Sequence, residues 1–407
     1  MTPTAIRNSL AAISALLLVV ACGGGSDMPP PTSGSAFTQG TITGFGSVIV
    51  NGVRFDDSAA QVTDDDGVAH DKGDLKLGMN VDVDSSGINR GSNSATASRI
   101  RFGAAIVGPV SAISSATTPK TLTVLDQIVD ISDTTVFDDH LANGFASIQV
   151  GDVLEIHALL DTATGHYLAK RVEPEPGATV FKLRGIVADL DTAAKTLKIG
   201  AAAIDFSGIA AANLPANLAN GQKVRVRLNT TKNASDQWVA ISIQTDQRRM
   251  EDANEAEVHG TITDFTSTTS FSVNGLAVDA TNAKFEDGTA GIVLGASVEV
   301  EGALVNGVLV ATKVELEDMH KNEDRNRNEL HGPISNLDTT AKTFVVRGVT
   351  VQYSSTTTVF KDGVEADLAN GKNVEVKGTL TADGTAVQAT SIEFENENEM
   401  ENEVDDD

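Results

Sequence analysis

The stretch VHGTITDF at residues 258–265, with FSVNGLAV at 271–278 and VEVEG at 298–302, decides the fold of this chain. Apolar and charged side chains alternate along VEVEG, as expected for a strand that buries one face. The Asn-Gly pair inside FSVNGLAV marks a tight turn or bulge, because both residues tolerate positive φ. The stretch therefore predicts a series of short antiparallel strands.

The same order of motifs recurs five times along the 407 residues. Its first phrase, Gly-x-Ile or Gly-x-Val, is spaced by 68 to 77 residues and begins at Gly40, Gly108, Gly185, Gly260 and Gly332. This spacing is that of a small domain rather than of a solenoid turn. Each unit offers about five or six short strands. A small closed barrel buries one face of each strand without leaving long edges.

We therefore predict an all-β chain, a tandem array of about five small antiparallel β-barrels of OB-like layout joined by short linkers. SH3-like barrels and small sandwiches are open alternatives. Long helices are excluded, because no stretch after residue 22 keeps a 3.6-residue apolar period over several turns. Aromatic residues make up only 4% of the chain. Four Phe at repeated positions are predicted to lie in the cores: Phe271, Phe285, Phe344 and Phe360.

Composition and motif order give the domain boundaries. The predicted segments are a lipoprotein signal peptide at 1–21, a flexible tether at 22–38, β repeats at 39–102, 103–177, 178–249, 250–320 and 321–394, and an acidic tail at 395–407. The tether is rich in Gly, Ser and Pro. The tail has no basic residue and is expected to be disordered. We call the five repeats copies 1 to 5.

The N-terminal segment reads as a targeting signal. Arg7 is the only charge before an apolar run at 10–20, which is too short to span a bilayer comfortably. The run ends in VVAC at 19–22, which resembles the lipobox of bacterial lipoproteins, and an ordinary secretory peptide is the alternative. Cys22, the only cysteine, is thus the predicted lipidation site, and acyl chains there would anchor the protein to a membrane. By analogy with lipoprotein sorting in Gram-negative bacteria, the absence of Asp directly after Cys22 favours the outer membrane of the cell envelope.

The ordered motifs carry a more specific resemblance. The set Gly-x-Ile/Val, Phe-x-Val-Asn-Gly, Thr-x-Phe, Leu-x-x-Gly, Val-Glu-Val-x-Gly and Ala-x-x-Ile/Val-Glu resembles the domain of unknown function 5666 family. Copies 4 and 5 fit this pattern best, copies 1 and 3 fit fairly, and copy 2 departs most because it lacks Val-Asn-Gly. The resemblance covers nearly all of residues 39–394. It implies a β fold and an exported protein, often a lipoprotein, and it brings no catalytic residues.

Few side chains point to a binding site. Among the seven histidines, His259 and His331 each precede the Gly of a first strand, and we expect both to face solvent in separate barrels. Zinc motifs are absent from the sequence, so no metal site and no cofactor are predicted. The run Asp64-Asp65-Asp66 lacks the ligand spacing of an EF-hand and is predicted to be a hairpin turn. Trp238 is the one aromatic worth testing as a contact residue, although packing in the core or at its rim is the expected role.

Composition narrows the function. A net charge of −26 repels phosphates and argues against nucleic-acid binding. No nucleophile elbow occurs, so catalytic residues are not predicted and the protein is expected not to be an enzyme. The first hypothesis is a structural or interaction array, anchored through Cys22, with an envelope protein or glycan as partner. The alternative is a module that binds a glycan, peptide or divalent cation between barrels, which rigid packing and clustered exposed aromatics would favour. A hydrolase is the weakest hypothesis.

Overall fold

The computed structural model describes residues 34–116, 118–245, 252–316 and 327–395. The predicted signal peptide, Cys22 and the tail beyond residue 395 lie outside the described residues. The described part of the chain forms 31 β-strands and four short 3-10 helices within one compact unit. Across these residues, no helix has the length and apolar character needed to cross a membrane.

The strands are numbered in chain order. Copy 1 contains β1 (Ser35–Phe45), β2 (Val48–Val50), β3 (Val53–Asp56), β4 (Gln61–Asp64), β5 (Ala69–His70), β6 (Asn80–Ser86) and β7 (Ser94–Phe102). Copy 2 contains β8 (Ile106–Ser114), β9 (Lys120–Val124), β10 (Gln127–Ile131), β11 (Val136–Phe137), β12 (Val153–Asp161) and β13 (His166–Pro174). Copy 3 contains β14 (Phe181–Asp191), β15 (Thr196–Ile199), β16 (Ala202–Asp205), β17 (Lys223–Lys232) and β18 (Trp238–Thr245).

Copies 4 and 5 follow the same plan. Copy 4 contains β19 (Ala253–Ser267), β20 (Ser270–Val273), β21 (Leu276–Asp279), β22 (Lys284–Phe285), β23 (Ser297–Val305) and β24 (Val308–Leu316). Copy 5 contains β25 (Asn328–Pro333), β26 (Ser335–Asp338), β27 (Thr343–Val346), β28 (Val349–Gln352), β29 (Val359–Lys361), β30 (Asn373–Leu380) and β31 (Val387–Phe394). The 3-10 helices are Lys72–Asp74, Gly144–Ser147, Ala211–Asn213 and Glu365–Asp367.

Copy 4 shows how the strands of one copy pair. β19 pairs antiparallel with β20, and β20 with β21. β21 then runs parallel to β24, which pairs antiparallel with β23, and β23 returns to β19. This cycle leaves no free edge and closes a five-stranded barrel. The prediction of an all-β fold with a small closed barrel is confirmed.

The other copies repeat this order of pairing. In copy 1 the cycle runs β1, β2, β3, β7, β6 and back to β1. Copy 2 has the cycle β8, β9, β10, β13, β12, and copy 3 has β14, β15, β16, β18, β17. In copy 5 the first strand is interrupted between β25 and β26, and the remaining pairings are equivalent.

The recurring Gly of the first strand and the Asn-Gly turn form one contact. In copy 4, Asn274 and Gly275 have φ of 49° and 85° and make the turn between β20 and β21. The Asn274 amide donates to the His259 carbonyl oxygen at 2.9 Å, and the Thr261 N–H donates to the Asn274 Oδ1 at 3.1 Å. A Cβ on Gly260 would lie 2.1 Å from the Asn274 side chain. The first strand therefore needs a glycine wherever this turn folds over it.

Copies 1 and 5 have the equivalent contact, made by an asparagine in copy 1 and by an arginine in copy 5. Asn51 Nδ2 donates to the Gln39 carbonyl oxygen at 3.1 Å, and a Cβ on Gly40 would lie 2.1 Å from Asn51 Oδ1. In copy 5 the turn residue is Arg347, whose Nε donates to the His331 carbonyl oxygen at 3.3 Å. In each of these copies, a polar side chain in the turn between the second and third strands donates a hydrogen bond to the first strand.

The hydrophobic cores follow the predicted pattern only in part. Phe271 and Phe344 are buried as predicted, whereas Phe285 and Phe360 are half-buried and pack against the cores of copies 4 and 5. Copies 2 and 3 share one continuous core instead of having one each. This differs from the expectation of separate barrels on linkers. The reason is that β8 and β14 pair antiparallel across the copy boundary.

Strand pairing also joins copy 1 to copies 4 and 5. Residues 36–39 of β1 run parallel to residues 255–258 of β19, and residues 44–45 run parallel to residues 329–330 of β25. β1 begins at Ser35, inside the predicted tether at 22–38. The tether prediction was therefore too long at this end, because residues 36–39 find strand partners on both edges, in β6 and β19.

Replacing Gly260 by Ala should lower the free energy of unfolding by about 1–3 kcal/mol, because the new methyl group displaces the Asn274 amide. In an Asn274→Gly background the same replacement should cost much less. Urea unfolding of the four proteins of this cycle measures the coupling. Gly73→Ala, which meets open space, is the control and should change little. Equal costs of Gly260→Ala in both backgrounds would contradict the contact.

Candidate functional site

Outward-facing side chains of the first and fourth strands form a charged group at the same position in three copies. The register places Arg184 opposite Arg225, His259 opposite Glu299 and His331 opposite Glu375. A third charged residue lies two positions earlier on each first strand. We call these groups cross-strand triads: Lys182/Arg184/Arg225 in copy 3, Glu257/His259/Glu299 in copy 4 and Glu329/His331/Glu375 in copy 5.

The triad of copy 3 is basic and surrounds Asp65 of copy 1. Arg184 contacts Asp65 Oδ2 directly, Arg225 Nη1 lies 3.2 Å from the same oxygen, and Lys182 Nζ lies 3.7 Å from Oδ1. Asp66 adds contacts of 3.0 Å to Lys182 and 3.3 Å to Arg225. Burial raises the pKa of Asp65, but the charges of Arg184, Arg225 and Lys182 outweigh it, and the net pKa lies below the ordinary 3.8. Asp65 is thus held ionised between two copies.

The triad of copy 4 is acidic around a histidine. His259 Nε2 lies 3.0 Å from Glu257 Oε1 and 3.7 Å from Glu299 Oε2. The opposite oxygens of the two carboxylates face cations: Arg90 of copy 1 lies 3.4 Å from Glu257 Oε2, and Lys313 lies 3.6 Å from Glu299 Oε1. The side chains of Glu257 and Glu299 are only 5% and 8% exposed. Two carboxylates therefore lie buried beside one imidazole.

The triad of copy 5 has the same layout, but a cation from copy 1 enters it. Arg54 contacts Glu329 Oε1, the oxygen that also lies 2.8 Å from His331 Nε2. The second ring nitrogen of His331, Nδ1, lies 2.8 Å from Glu395 Oε1. A neutral imidazole has one N–H donor, so two carboxylate partners require the doubly protonated ring. This geometry makes His331 an imidazolium that joins β25 to the end of β31.

The pKa values agree with that assignment. Burial lowers the pKa of His331, but its hydrogen bonds to Glu329 and Glu395 and the charge of Glu375 outweigh burial and the Arg54 charge, so the net pKa is above 6.5. Burial raises the pKa of Glu329, but the hydrogen bond from His331 and the Arg54 charge prevail, and its net pKa falls well below 4.5. The imidazolium and the carboxylate stabilise each other.

The predicted solvent exposure of His259 and His331 was wrong. Their side chains are only 13% and 17% exposed, because copy 1 packs over this face of copies 4 and 5. The two histidines lie in separate copies, as expected. What sequence reasoning missed was the carboxylates around each ring. The shared pattern Glu-x-His-Gly at 257–260 and 329–332 was the available signal.

The aspartate run forms the predicted hairpin turn, between β4 and β5. Asp64 Oδ1 accepts hydrogen bonds from the N–H groups of Asp66 and Val68 at 2.9 and 2.8 Å. Asp65 and Asp66 point instead to the basic triad of copy 3. The run therefore joins two copies, and its second and third carboxylates are neutralised by basic side chains.

Trp238 packs rather than contacts solvent. It is 7% exposed, and its indole N–H donates to Asp126 of copy 2 at 2.9 Å. Its ring meets Phe181 edge-on at 5.8 Å, and Lys232 Nζ lies 5.0 Å from the ring centroid. The expected role at the rim of the core is confirmed, at the boundary between copies 2 and 3.

Comparison with known families identifies the class of chain. Residues 107–173, 259–315 and 331–393 match the model of the family described as Domain of unknown function (DUF5666). These three regions match that family, and the resemblance drawn from the sequence is confirmed. The matched regions include copy 2, which departs most from the motif pattern. Copy 2 keeps the turn without Asn-Gly, since Leu125 and Asp126 adopt φ of 48° and 62° between β9 and β10.

Among solved structures, the chain is similar to drosophila Unr CSD456. The identity is 14%, the match covers 53% of this chain and 98% of that chain, and the TM-score is 0.13. A TM-score this low carries no argument about function. No curated protein matches the chain.

Replacing Asp65 by Asn should lower the free energy of unfolding by about 3 kcal/mol, because the buried Arg184 and Arg225 lose the carboxylate that they share. Urea unfolding checks this. The matched control is Asp236→Asn, which removes an ion pair to Lys232 from a side chain that is 88% exposed and should change stability little. Equal small effects of the two replacements would show that the basic triad does not join copies 1 and 3.

The junction at His331 should lose stability as the pH rises. Because the folded pKa of His331 is raised, its contribution is fully present below about 6.5 and is lost as the pH rises through the raised value. The contribution of Glu329 has the opposite sign: it is present above 4.5 and is lost as the pH falls through the lowered pKa. The junction is therefore most stable between these two limits.

Urea unfolding at about pH 6 and about pH 9 tests the upper limit. The wild type should lose more stability than His331→Gln over this interval. The control is His140→Gln, because the His140 side chain is 85% exposed and solvent screens its contact with Asp138. It should change the pH dependence much less than His331→Gln does. A pH dependence unchanged by His331→Gln would rule out the imidazolium.

Proposed function

We propose that this chain is a non-enzymatic protein of the bacterial cell envelope, anchored to a membrane through acyl chains on Cys22. In this proposal a tandem array of about five OB-like β-barrels forms one structural or interaction scaffold. The lipobox-like sequence at 19–22 supports export and lipid anchoring, and it favours the outer membrane. The partner of the array is an envelope protein or a glycan.

The observation that carries the scaffold proposal is strand pairing between copies. β1 pairs with β19 and β25, and β8 pairs with β14. The cyclic pairing order that recurs in each copy supports the count of five barrels. The strand order first, second, third, fifth, fourth supports the OB-like layout. The sequence has no nucleophile elbow, which favours a role without catalysis.

The joined copies change the expected mechanism of contact. Flexible linkers would let each barrel reach a partner independently. Backbone pairing and ion pairs fix the copies instead, since Arg54, Asp65 and Arg90 of copy 1 reach copies 5, 3 and 4. A partner that touches two copies then meets surfaces at a constant spacing, and it binds without the entropic cost of ordering them.

The alternative, a ligand-binding module, has weaker support. Rigid packing meets one of its two requirements, a groove of fixed shape. Clustered exposed aromatics would meet the second, but Trp238 is buried. The apolar cleft with a volume of about 330 Å³ lies within copy 3, not between copies, and is lined by Phe206, Ile209, Leu214 and Leu218 among others.

Replacing Cys22 by Ser should move the protein from the membrane pellet to the soluble fraction, because the thiol that carries the acyl chains is lost. Fractionation of expressing cells, followed by a carbonate wash of the membranes, measures this. Ser26→Ala, a few residues further on, is the control and should stay in the pellet. Retention of Cys22→Ser in the washed pellet would exclude the anchor and leave the barrel array untouched.

A further inference from the structure

We propose that the triad Glu257/His259/Glu299 of copy 4 is a binding site for a divalent transition metal, and that Zn²⁺ fits it best. The inference goes beyond the scaffold function and does not rest on it. The three donor atoms lie within 4.8 Å of one another, and the contacts of 3.0 and 3.7 Å from His259 Nε2 approach the donor spacing around a bound zinc. Zinc binds such donors at about 2.0–2.2 Å.

The donor set selects the metal class. One imidazole nitrogen and two carboxylate oxygens are the protein donor set of zinc sites that keep one position open for water. Calcium takes about six to eight oxygen ligands, which this group does not supply. The site is therefore assigned to a transition metal and not to calcium.

The carboxylates are oriented as metal ligands are. Each turns one oxygen toward His259 and gives the other to a cation, Arg90 for Glu257 and Lys313 for Glu299. Lys313 also contacts Glu301 at 2.8 Å and Glu315 at 3.0 Å. Partners on the outer oxygens fix the direction of the inner ones, as the second layer of groups around metal sites does.

Copy 5 supplies an independent indication that this geometry attracts a cation. In its triad, Arg54 Nη2 contacts Glu329 Oε1 and lies 3.7 Å from Glu375 Oε1. Those two oxygens are the ones that face His331 Nε2, at 2.8 and 3.5 Å. A guanidinium nitrogen thus stands where copy 4 would hold the metal. In copy 4 the corresponding cation, Arg90, contacts the outer oxygen of Glu257 and leaves the inner one to His259.

Calorimetric titration with ZnCl₂ tests the site on the full chain carrying Cys22→Ser, freed of metal by chelator. About one equivalent of zinc should bind tightly, and CaCl₂ should not compete. His259→Gln and Glu299→Gln should each weaken binding about 100-fold or more, whereas the matched control His331→Gln should leave the affinity unchanged. Because zinc binds the deprotonated imidazole nitrogen, the affinity should rise with pH.

Arg54→Ala gives a gain-of-site test. Removing the guanidinium opens the triad of copy 5, so the stoichiometry should rise from one equivalent to two. A stoichiometry that stays at one would contradict the equivalence of the two triads. Failure of the wild type to bind zinc, or equal weakening by His259→Gln and His331→Gln, would overturn the proposal.

A measurement on the chain with all three triad residues intact does not depend on whether the variants fold well. Long-range ¹H–¹⁵N spectra of the imidazoles should show zinc shifting the Nε2 signal of one histidine, and that signal should be missing from the His259→Gln spectrum. Uniform small shifts of several histidines would mean that zinc binds the acidic surface diffusely, and the site would be rejected.

Discussion

Backbone pairing along both edges of β1 is the constraint on which the arrangement of the copies depends. Residues 36–39 pair with β6 inside copy 1 and, on the other edge, with β19 of copy 4. Residues 44–45 then pair with β25 of copy 5. An unpaired strand edge invites association with other chains, and here the edge is satisfied within the same chain. Backbone hydrogen bonds therefore place copies 4 and 5 against copy 1.

Backbone pairing does not by itself choose which copy lies where, because the main chain is the same in every copy. The charges make that choice. Asp65 of copy 1 forms ion pairs with the basic triad of copy 3. Arg90 and Arg54 of copy 1 form ion pairs with the acidic triads of copies 4 and 5. An exchange of copies 3 and 5 would bring Asp65 to the half-buried pair Glu329 and Glu375, and Arg54 to Arg184 and Arg225. Like charges brought together away from water are costly. The triads therefore disfavour arrangements in which the copies change places.

The sequence predicts what is local. Alternation along 298–302 and the Asn-Gly turns are enough to predict strands, hairpins and closed units, since each depends on neighbouring residues. The sites were not predictable in this way. Period-two alternation correctly marks His259 and Glu299 as pointing out of their barrel. It cannot tell that copy 1 covers that face, because the covering residue, Arg90, lies 167 positions away from Glu257 along the chain.

The repeated and the variable positions therefore have different tasks. The glycine of the first strand and the buried valines are fixed by packing, so they recur in every copy, whereas the turn residue above the glycine varies from Asn to Leu to Arg. The two residues that face each other on the outer side of the first and fourth strands have no such constraint. They are basic in copy 3 and a histidine with a glutamate in copies 4 and 5. In copy 1 that pair is Gln39 and Asp82, and the Gln39 amide donates to Asp82 Oδ1 at 2.9 Å. Gln39 lies in the part of β1 that also pairs with β19 of copy 4. Since this pair is free to vary without loss of the barrel, it is the position at which this fold acquires specific contacts.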